Sequence, residues 1–228
     1  MQRLNNLQGI RAIAFLAIFI SHTGISNTSL LGAWGVSIFL CMSGFLMMHS
    51  YLNKAKNPKF GFGFVWSKIK RLYPLHIVTM LAMTLYALFY LAKDISTVLL
   101  EIFLQAPLIH IWIPIPKYYQ ILNGVSWYLC VCVLIYLLFP FILKFYRKIN
   151  NKRSAIYSII ALLIIQISIA LLAFFFGNEN KNDIFSIQWI TYYFPISRLI
   201  DFLLGCSLYV CMKQTNKQTN KQGTACII

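Results

Sequence analysis

Polar interruptions cut this chain into long apolar runs, and the lengths of those runs predict its elements. Six of them read as membrane-spanning helices: Ile10–Ile25, Leu30–Tyr51, Leu75–Ala92, Val125–Phe145, Ala155–Phe176 and Ile196–Met212. One crossing needs about 20 mostly apolar residues. The first run is short and the last is polar at its start. A further apolar stretch, Val98–Ile115, is broken by Glu101, Pro107 and Pro114. A seventh crossing there would invert the charge bias downstream, so this stretch is predicted to re-enter the membrane or lie at its outer interface. The first run is predicted to persist as a helix rather than be removed as a signal peptide. Arg11 and His22 interrupt it, and no small-residue cleavage site follows. The predicted fold is therefore all-α: a polytopic transmembrane bundle of about six spans.

Composition agrees. The chain is 59% hydrophobic and 11% charged, with a mean hydropathy of +0.70, whereas soluble domains carry about 25% charged residues. The net charge of +15 does not indicate nucleic acid, because the basic residues fall in short blocks between apolar runs. The partner they imply is the membrane. Lys54, Lys56, Lys59, Lys68, Lys70 and Arg71 lie between the second and third spans. Lys144, Arg147, Lys148, Lys152 and Arg153 surround the end of the fourth, and Lys213, Lys217 and Lys221 follow the last. The alternate loops carry only Lys93, Lys117 and Lys181, together with Asp94, Glu101, Glu179 and Asp183. By the positive-inside rule both termini are cytoplasmic.

The costly side chains within the apolar runs are the candidate chemistry. Arg11 and His22 stand eleven residues apart. In a continuous helix that returns His22 to nearly the same face, roughly 16 Å further along. Ionisable groups within spans usually face a bundle interior or a wet cavity. Arg198 and Asp201, three residues apart, are spaced for an intramembrane ion pair. Five cysteines (Cys41, Cys130, Cys132, Cys206 and Cys211) lie inside apolar runs, where cysteine behaves as a small hydrophobe. Cys130 and Cys132 lack zinc-ligand spacing, so no metal is expected. His49 and His76 are expected at cytoplasmic span ends and His110 outside. Glycine-rich nucleotide loops and Ser-His-Asp signatures are absent.

The C-terminal Lys213–Gln222, KQTNKQTNKQ, is a polar repeat that cannot bury a core and is predicted to be disordered. Lys-Gln-Thr-Asn is also what a continuous AAAC tract encodes. Gain or loss of units would shift the frame, so residues 213–228 are expected to be an out-of-frame ending and residues 1–212 part of a longer membrane domain.

NNLQGIRAIAFLAIFISH, GAWGVSIFLCMSGFLM, FVWSKIKRLYPLH, SWYLCVCVLIYLLFP and SRLIDFLLG occur in that order. In that order they resemble the motifs of the membrane acyltransferase-3 family of bacterial O-acyltransferases. The matched features are the Arg11–His22 spacing, Gly35–Phe39 with Ser43-Gly44-Phe45, the basic run to Arg71 and Pro74, Trp127 with its helix, and Arg198 with Asp201. Two departures stand out: Lys68 replaces a usual Arg, and Cys130 stands where Ser is common. Members usually have more spans than this chain. The resemblance implies an inner-membrane enzyme that moves an acyl group, most simply acetyl, from acyl-CoA to a hydroxyl of an envelope glycan or glycolipid such as lipopolysaccharide.

Chemistry supplies roles for that expectation. Removing a hydroxyl proton at neutral pH suits an imidazole, so His22 is the candidate base. Acyl-CoA is a polyanion, so Arg11, Lys68, Lys70 and Arg71 are its candidate partners. Ser43, Trp127, Arg198 and Asp201 are candidate supporting residues. Plainer readings stand beside these. Arg11 would serve as a snorkelling anchor, His22 as an interhelical hydrogen-bonding residue, Lys68–Arg71 as a topogenic patch, and Ser43-Gly44-Phe45 as a close-packing site. The competing class is a transporter or flippase, with Arg11, His22, Arg198 and Asp201 forming a proton or anion pathway.

Overall fold

The computed structural model describes residues 5–24, 29–54 and 61–225. Nine α-helices and no strands occur among the described residues: α1 Asn5–Ser21, α2 Ser29–Tyr51, α3 Phe62–Ile69, α4 Tyr73–Phe89, α5 Ile95–Gln105, α6 Pro116–Tyr119, α7 Trp127–Tyr146, α8 Lys152–Phe176 and α9 Pro195–Ala225. Four of them, α2, α7, α8 and α9, are long and apolar enough to cross a bilayer, and α3 with α4 makes a fifth if that bent pair is one broken span. The protein is an all-α, multi-pass membrane bundle.

The count differs from the six expected spans for two local reasons. Helix α1 has 17 residues and ends at Ser21, short of the roughly 20 needed; Ile25, the expected end of that span, lies outside the described residues. The third expected span, Leu75–Ala92, forms as α4, which has only 17 residues. It is long enough only together with α3, from which it is bent by 71°, where Lys70, Arg71 and Leu72 form a turn and Pro74 sits in the first turn of α4. Proline is tolerated there because that turn has spare N–H groups. Helix α5 has only eleven residues, which at 1.5 Å per residue is about 16 Å, so Val98–Ile115 does not cross.

The chain divides into two compact units. The first contains residues 1–57, 141–166 and 198–228, and the second residues 58–140 and 167–197.

In the first unit, glycines set the helix spacing. Helix α1 packs on α2 where Gly35 leaves room for Ala14 and Ile18; a Cβ there would come within 2.7 Å of the Ala14 carbonyl. Helix α2 meets α9 just as closely. A Cβ on Gly44 would collide with the Phe202 carbonyl, and one on Gly205 with the Cys41 carbonyl. Small residues are how membrane helices approach without a hydrophobic driving force. Aromatic edges extend the contact, with Tyr209 edge-on to Phe45 at 5.2 Å and to His49 at 5.5 Å. Helix α9 continues past Met212 without a break. Gln214 Nε2 donates to the Ile149 carbonyl at 3.2 Å, so the first repeat unit is helical and docked rather than disordered: its amide caps a free carbonyl. Residues 226–228 lie outside the described residues.

In the second unit, α4 packs on α5 through polar contacts. Tyr73 Oη donates to the Ala106 carbonyl at 3.0 Å and Asn123 Nδ2 to Thr79 Oγ1 at 2.7 Å. The six-span scheme put the start of α4 and the start of α7 at opposite membrane faces. These bonds put the first half of α4 beside segment 105–126. The polar backbone of that irregular segment needs partners, and α4 supplies them.

Candidate functional site

The residues singled out from the sequence fall in both units. Helix α1, in the first, carries Arg11 and brings the chain to His22. Arg11 is half-buried, and its Nε is enclosed with no partner among the described residues. An enclosed guanidinium N–H without an acceptor is costly. His22 lies in the turn just after α1, not inside the helix, and it is exposed. The expected buried track from Arg11 to His22 is therefore not formed, because α1 ends one residue too early.

The His22 ring is nevertheless fixed. Its Nδ1 lies 2.8 Å from the Ile18 carbonyl. A carbonyl only accepts, so Nδ1 carries the proton and Nε2 keeps its lone pair. Ser21 Oγ donates to the same carbonyl at 2.7 Å and stands 3.2 Å from Nδ1. The arrangement is an exposed imidazole held at one nitrogen, with the basic nitrogen turned outward.

Lys68, Lys70 and Arg71, in the second unit, sit at the elbow between α3 and α4 rather than at the mouth of a straight span. Lys70 and Arg71 are exposed, and Lys68 lies over the Phe64 ring at 5.4 Å. Trp127, the first residue of α7, is buried among Tyr192 and Tyr193, with ring centroids at 4.8 and 5.5 Å. Ser43 Oγ donates back to the Phe39 carbonyl at 2.8 Å, and its neighbour Gly44 makes the close approach to α9. Arg198 and Asp201 form the expected pair, Nη1 to Oδ2 at 2.9 Å. Arg198 Nη1 also donates to Ser37 Oγ at 2.9 Å, and Gln166 Nε2 donates to Asp201 Oδ1 at 3.1 Å. The carboxylate has a partner on each oxygen.

Sequence reading missed a second polar cluster, in the second unit. His110, expected on the outer side of the membrane, is fully buried within the protein, an environment its position in the sequence does not announce. Its Nε2 lies 3.2 Å from Ser126 Oγ and its Nδ1 3.6 Å from Cys130 Sγ. Ser126 Oγ donates to the Asn123 carbonyl at 2.7 Å and accepts from Gln105 Nε2 at 3.0 Å. Gln105 Nε2 also reaches the carbonyls of Ile121 and Asn123 at 2.9 and 2.8 Å. His76, expected at a span end, is buried, with Nε2 3.2 Å from the Gln105 carbonyl. Burial, with His76 opposing a second positive charge, pushes His110 down to about 4. With its hydroxyl proton already given to Asn123, Ser126 is a structural pin rather than a poised nucleophile. No motif spacing announces this cluster, because Gln105, His110 and Ser126 meet only through the irregular path of the chain between α5 and α7.

A multi-pass helical membrane protein with an exposed, oriented histidine just past the end of a helix that carries a half-buried arginine is the class these features define. The chain belongs to the acyltransferase-3 family: the family model, described as an acyltransferase domain, matches residues 4–211. It is similar to the acyltransferase MdmB of Streptomyces mycarofaciens, 26% identical over 230 residues, which cover 92% of this chain and 58% of that protein. The chain thus spans less than two-thirds of that relative's length. No solved structure matches it.

Proposed function

We propose that this chain works in O-acyl transfer, taking an acyl group, most simply acetyl, from acyl-CoA to a hydroxyl of an envelope sugar at the bacterial inner membrane. Lipopolysaccharide is the acceptor to test first. The observation that carries this reading is His22, held by Ile18 through Nδ1 with Nε2 open to a substrate. As the acceptor oxygen attacks the thioester carbonyl, Nε2 takes the hydroxyl proton. It returns that proton to the CoA thiolate as the carbon–sulfur bond breaks. An imidazole nitrogen, which can both accept and release a proton, suits both halves of that exchange.

The donor is a polyanion, and three cations are placed to meet it. Arg11 offers an enclosed Nε–H without a partner, and Lys70 and Arg71 are exposed at the elbow. Forked guanidinium contacts suit phosphate and carbonyl oxygens. Arg11 and Arg71 would act on donor binding, and Trp127 and the Arg198–Asp201 pair would support the helices from within. The transporter reading is disfavoured by that pair: both carboxylate oxygens of Asp201 are already engaged. The tetrapeptide repeat adds a regulatory corollary, since a translated AAAC tract would make expression phase-variable.

The experiment is glycan acetylation in cells that depend on this locus, read by NMR of purified lipopolysaccharide. Arg11→Ala and Arg71→Ala should raise the donor concentration needed for half-maximal transfer in membrane vesicles by about tenfold or more, with the rate at saturation little changed. An unchanged donor requirement in both variants would remove these residues from donor binding.

A further inference from the structure

The first unit contains a cavity that the acyl-transfer reading does not use. It measures about 400 Å³ and lies between the last turns of α7, the first half of α8 and α9. That volume falls within the usual range of small-ligand sites, roughly 300–1,000 Å³. Phe141, Ile142, Phe145, Leu162 and Leu203 supply its apolar wall, and the only lining hydroxyls are Tyr146 and Ser158.

Those hydroxyls have no proton to give a ligand. Tyr146 Oη donates to the Leu203 carbonyl at 3.1 Å, so Ser207 Oγ is the donor in its 2.6 Å contact with Tyr146 Oη. Ser158 Oγ shares its proton between the Ala155 carbonyl at 2.7 Å and Ser207 Oγ at 3.0 Å. A sugar, which needs donors as well as acceptors, would leave groups unpaired there. A hydrocarbon chain would not.

One end of the cavity is basic. Lys144 and Lys148 are exposed on either side of Phe145, and Lys152 and Arg153 stand in the first turn of α8. Ser158 is six residues beyond Lys152, about 9 Å along the axis, within reach of a lysine side chain and a phosphate together. Asn151 caps this end of α8, accepting from the Ser154 N–H at 2.7 Å, and the positive end of the helix dipole adds to the field. The sequence of this unit holds one acidic residue, Asp201, which is already bound to Arg198 at 2.9 Å. No side-chain carboxylate of the unit is available to neutralise the cluster.

We infer that this is a binding site for one anionic phospholipid, with an acyl chain in the cavity and the phosphate among Lys148, Lys152 and Arg153. Any apolar helix face is wetted by bulk lipid. A cavity with cations at one end retains a lipid of one charge class.

The test is native mass spectrometry of the full chain in mild detergent, titrated with dioleoyl phosphatidylglycerol, dioleoyl phosphatidylcholine and palmitoyl-CoA. One phosphatidylglycerol should bind per chain, at least tenfold tighter than phosphatidylcholine. Ala161→Phe, which puts a ring where a small side chain lines the cavity, should weaken it about tenfold. So should the triple change Lys148→Gln, Lys152→Gln and Arg153→Gln, which leaves the packing intact and keeps the test open if the first variant fails to fold. Equal binding of the two lipids, or phosphatidylglycerol binding indifferent to the triple change, would overturn the site. Displacement of phosphatidylglycerol by lower concentrations of palmitoyl-CoA, with the same sensitivity to the variants, would overturn the phospholipid and assign the cavity to a thioester donor.

Discussion

At the scale of single residues, the second unit makes the clearest pH prediction. His110 is neutral and buried in the folded chain, where it is pushed down to about 4. In the unfolded chain it titrates near 6.5. Acid therefore protonates the unfolded state first, and stability falls as pH drops from about 6.5 towards 4. The full difference is about 3 kcal/mol on the linkage relation. Thermal unfolding in detergent should show a midpoint that falls across this window, and His110→Asn should flatten the fall. A midpoint independent of pH between 7 and 4.5 would mean that His110 is not the group in control. Residue types were legible in the sequence here, and environments were not. Arg11 and His22 stand out because they are costly in an apolar run. The end of α1 at Ser21, which leaves His22 just outside the helix, has no such signature. Gln105, His110 and Gln166 looked unremarkable because their partners lie far along the chain: Gln166, for instance, donates to Asp201 across 35 positions.

At the scale of elements, the contact between α2 and α9 rests on two glycines that meet backbone. A backbone carbonyl cannot move aside as a flexible side chain does, so Gly205→Leu should separate the helices. Overpacking of this kind costs about 1–3 kcal/mol or more, and a lower unfolding midpoint with reduced membrane yield should report it. The ion pair within α9, which reaches α2 through Arg198 and Ser37, behaves differently. Arg198→Ala alone leaves Asp201 enclosed without its main cation and should cost roughly 3–5 kcal/mol, whereas Arg198→Met with Asp201→Leu should cost much less. If the double variant is as unstable as the single one, the pair does more than balance charge. The packing role of Ser43-Gly44-Phe45 was legible as a small-residue site. The long helices α2, α7 and α8 were legible to within a few residues because continuous apolarity is a strong signal. So was the start of α9, but not its continuation past Met212 into the polar repeat, where that signal stops. The elbow between α3 and α4 was read instead as the entry of a straight span. Lys70, Arg71 and Pro74 signal a helix start equally well whether the preceding helix continues the span or turns away from it.

At the scale of the whole molecule, orientation is the property that charge most directly predicts. Helix α8 has 25 residues, about 37 Å of rise, so Arg153 and Asn180 should stand on opposite faces of the membrane. By the positive-inside rule the basic end should face the cytoplasm. Single-cysteine labelling of intact cells should modify a cysteine placed at Asn180 and spare one placed at Arg153. Labelling at both positions, or only at Arg153, would contradict the assigned orientation. The central claim is chemical: His22 is the base of an acyl transfer. Its most direct measurement is the initial rate of acetyl transfer from labelled acetyl-CoA to envelope glycan in membrane vesicles, comparing the native chain with His22→Asn. Asparagine can keep the donor to the Ile18 carbonyl and removes only the open Nε2. The predicted result is a rate lower by about 10²–10⁴-fold at equal membrane abundance; a rate within a few-fold of the native chain would contradict it.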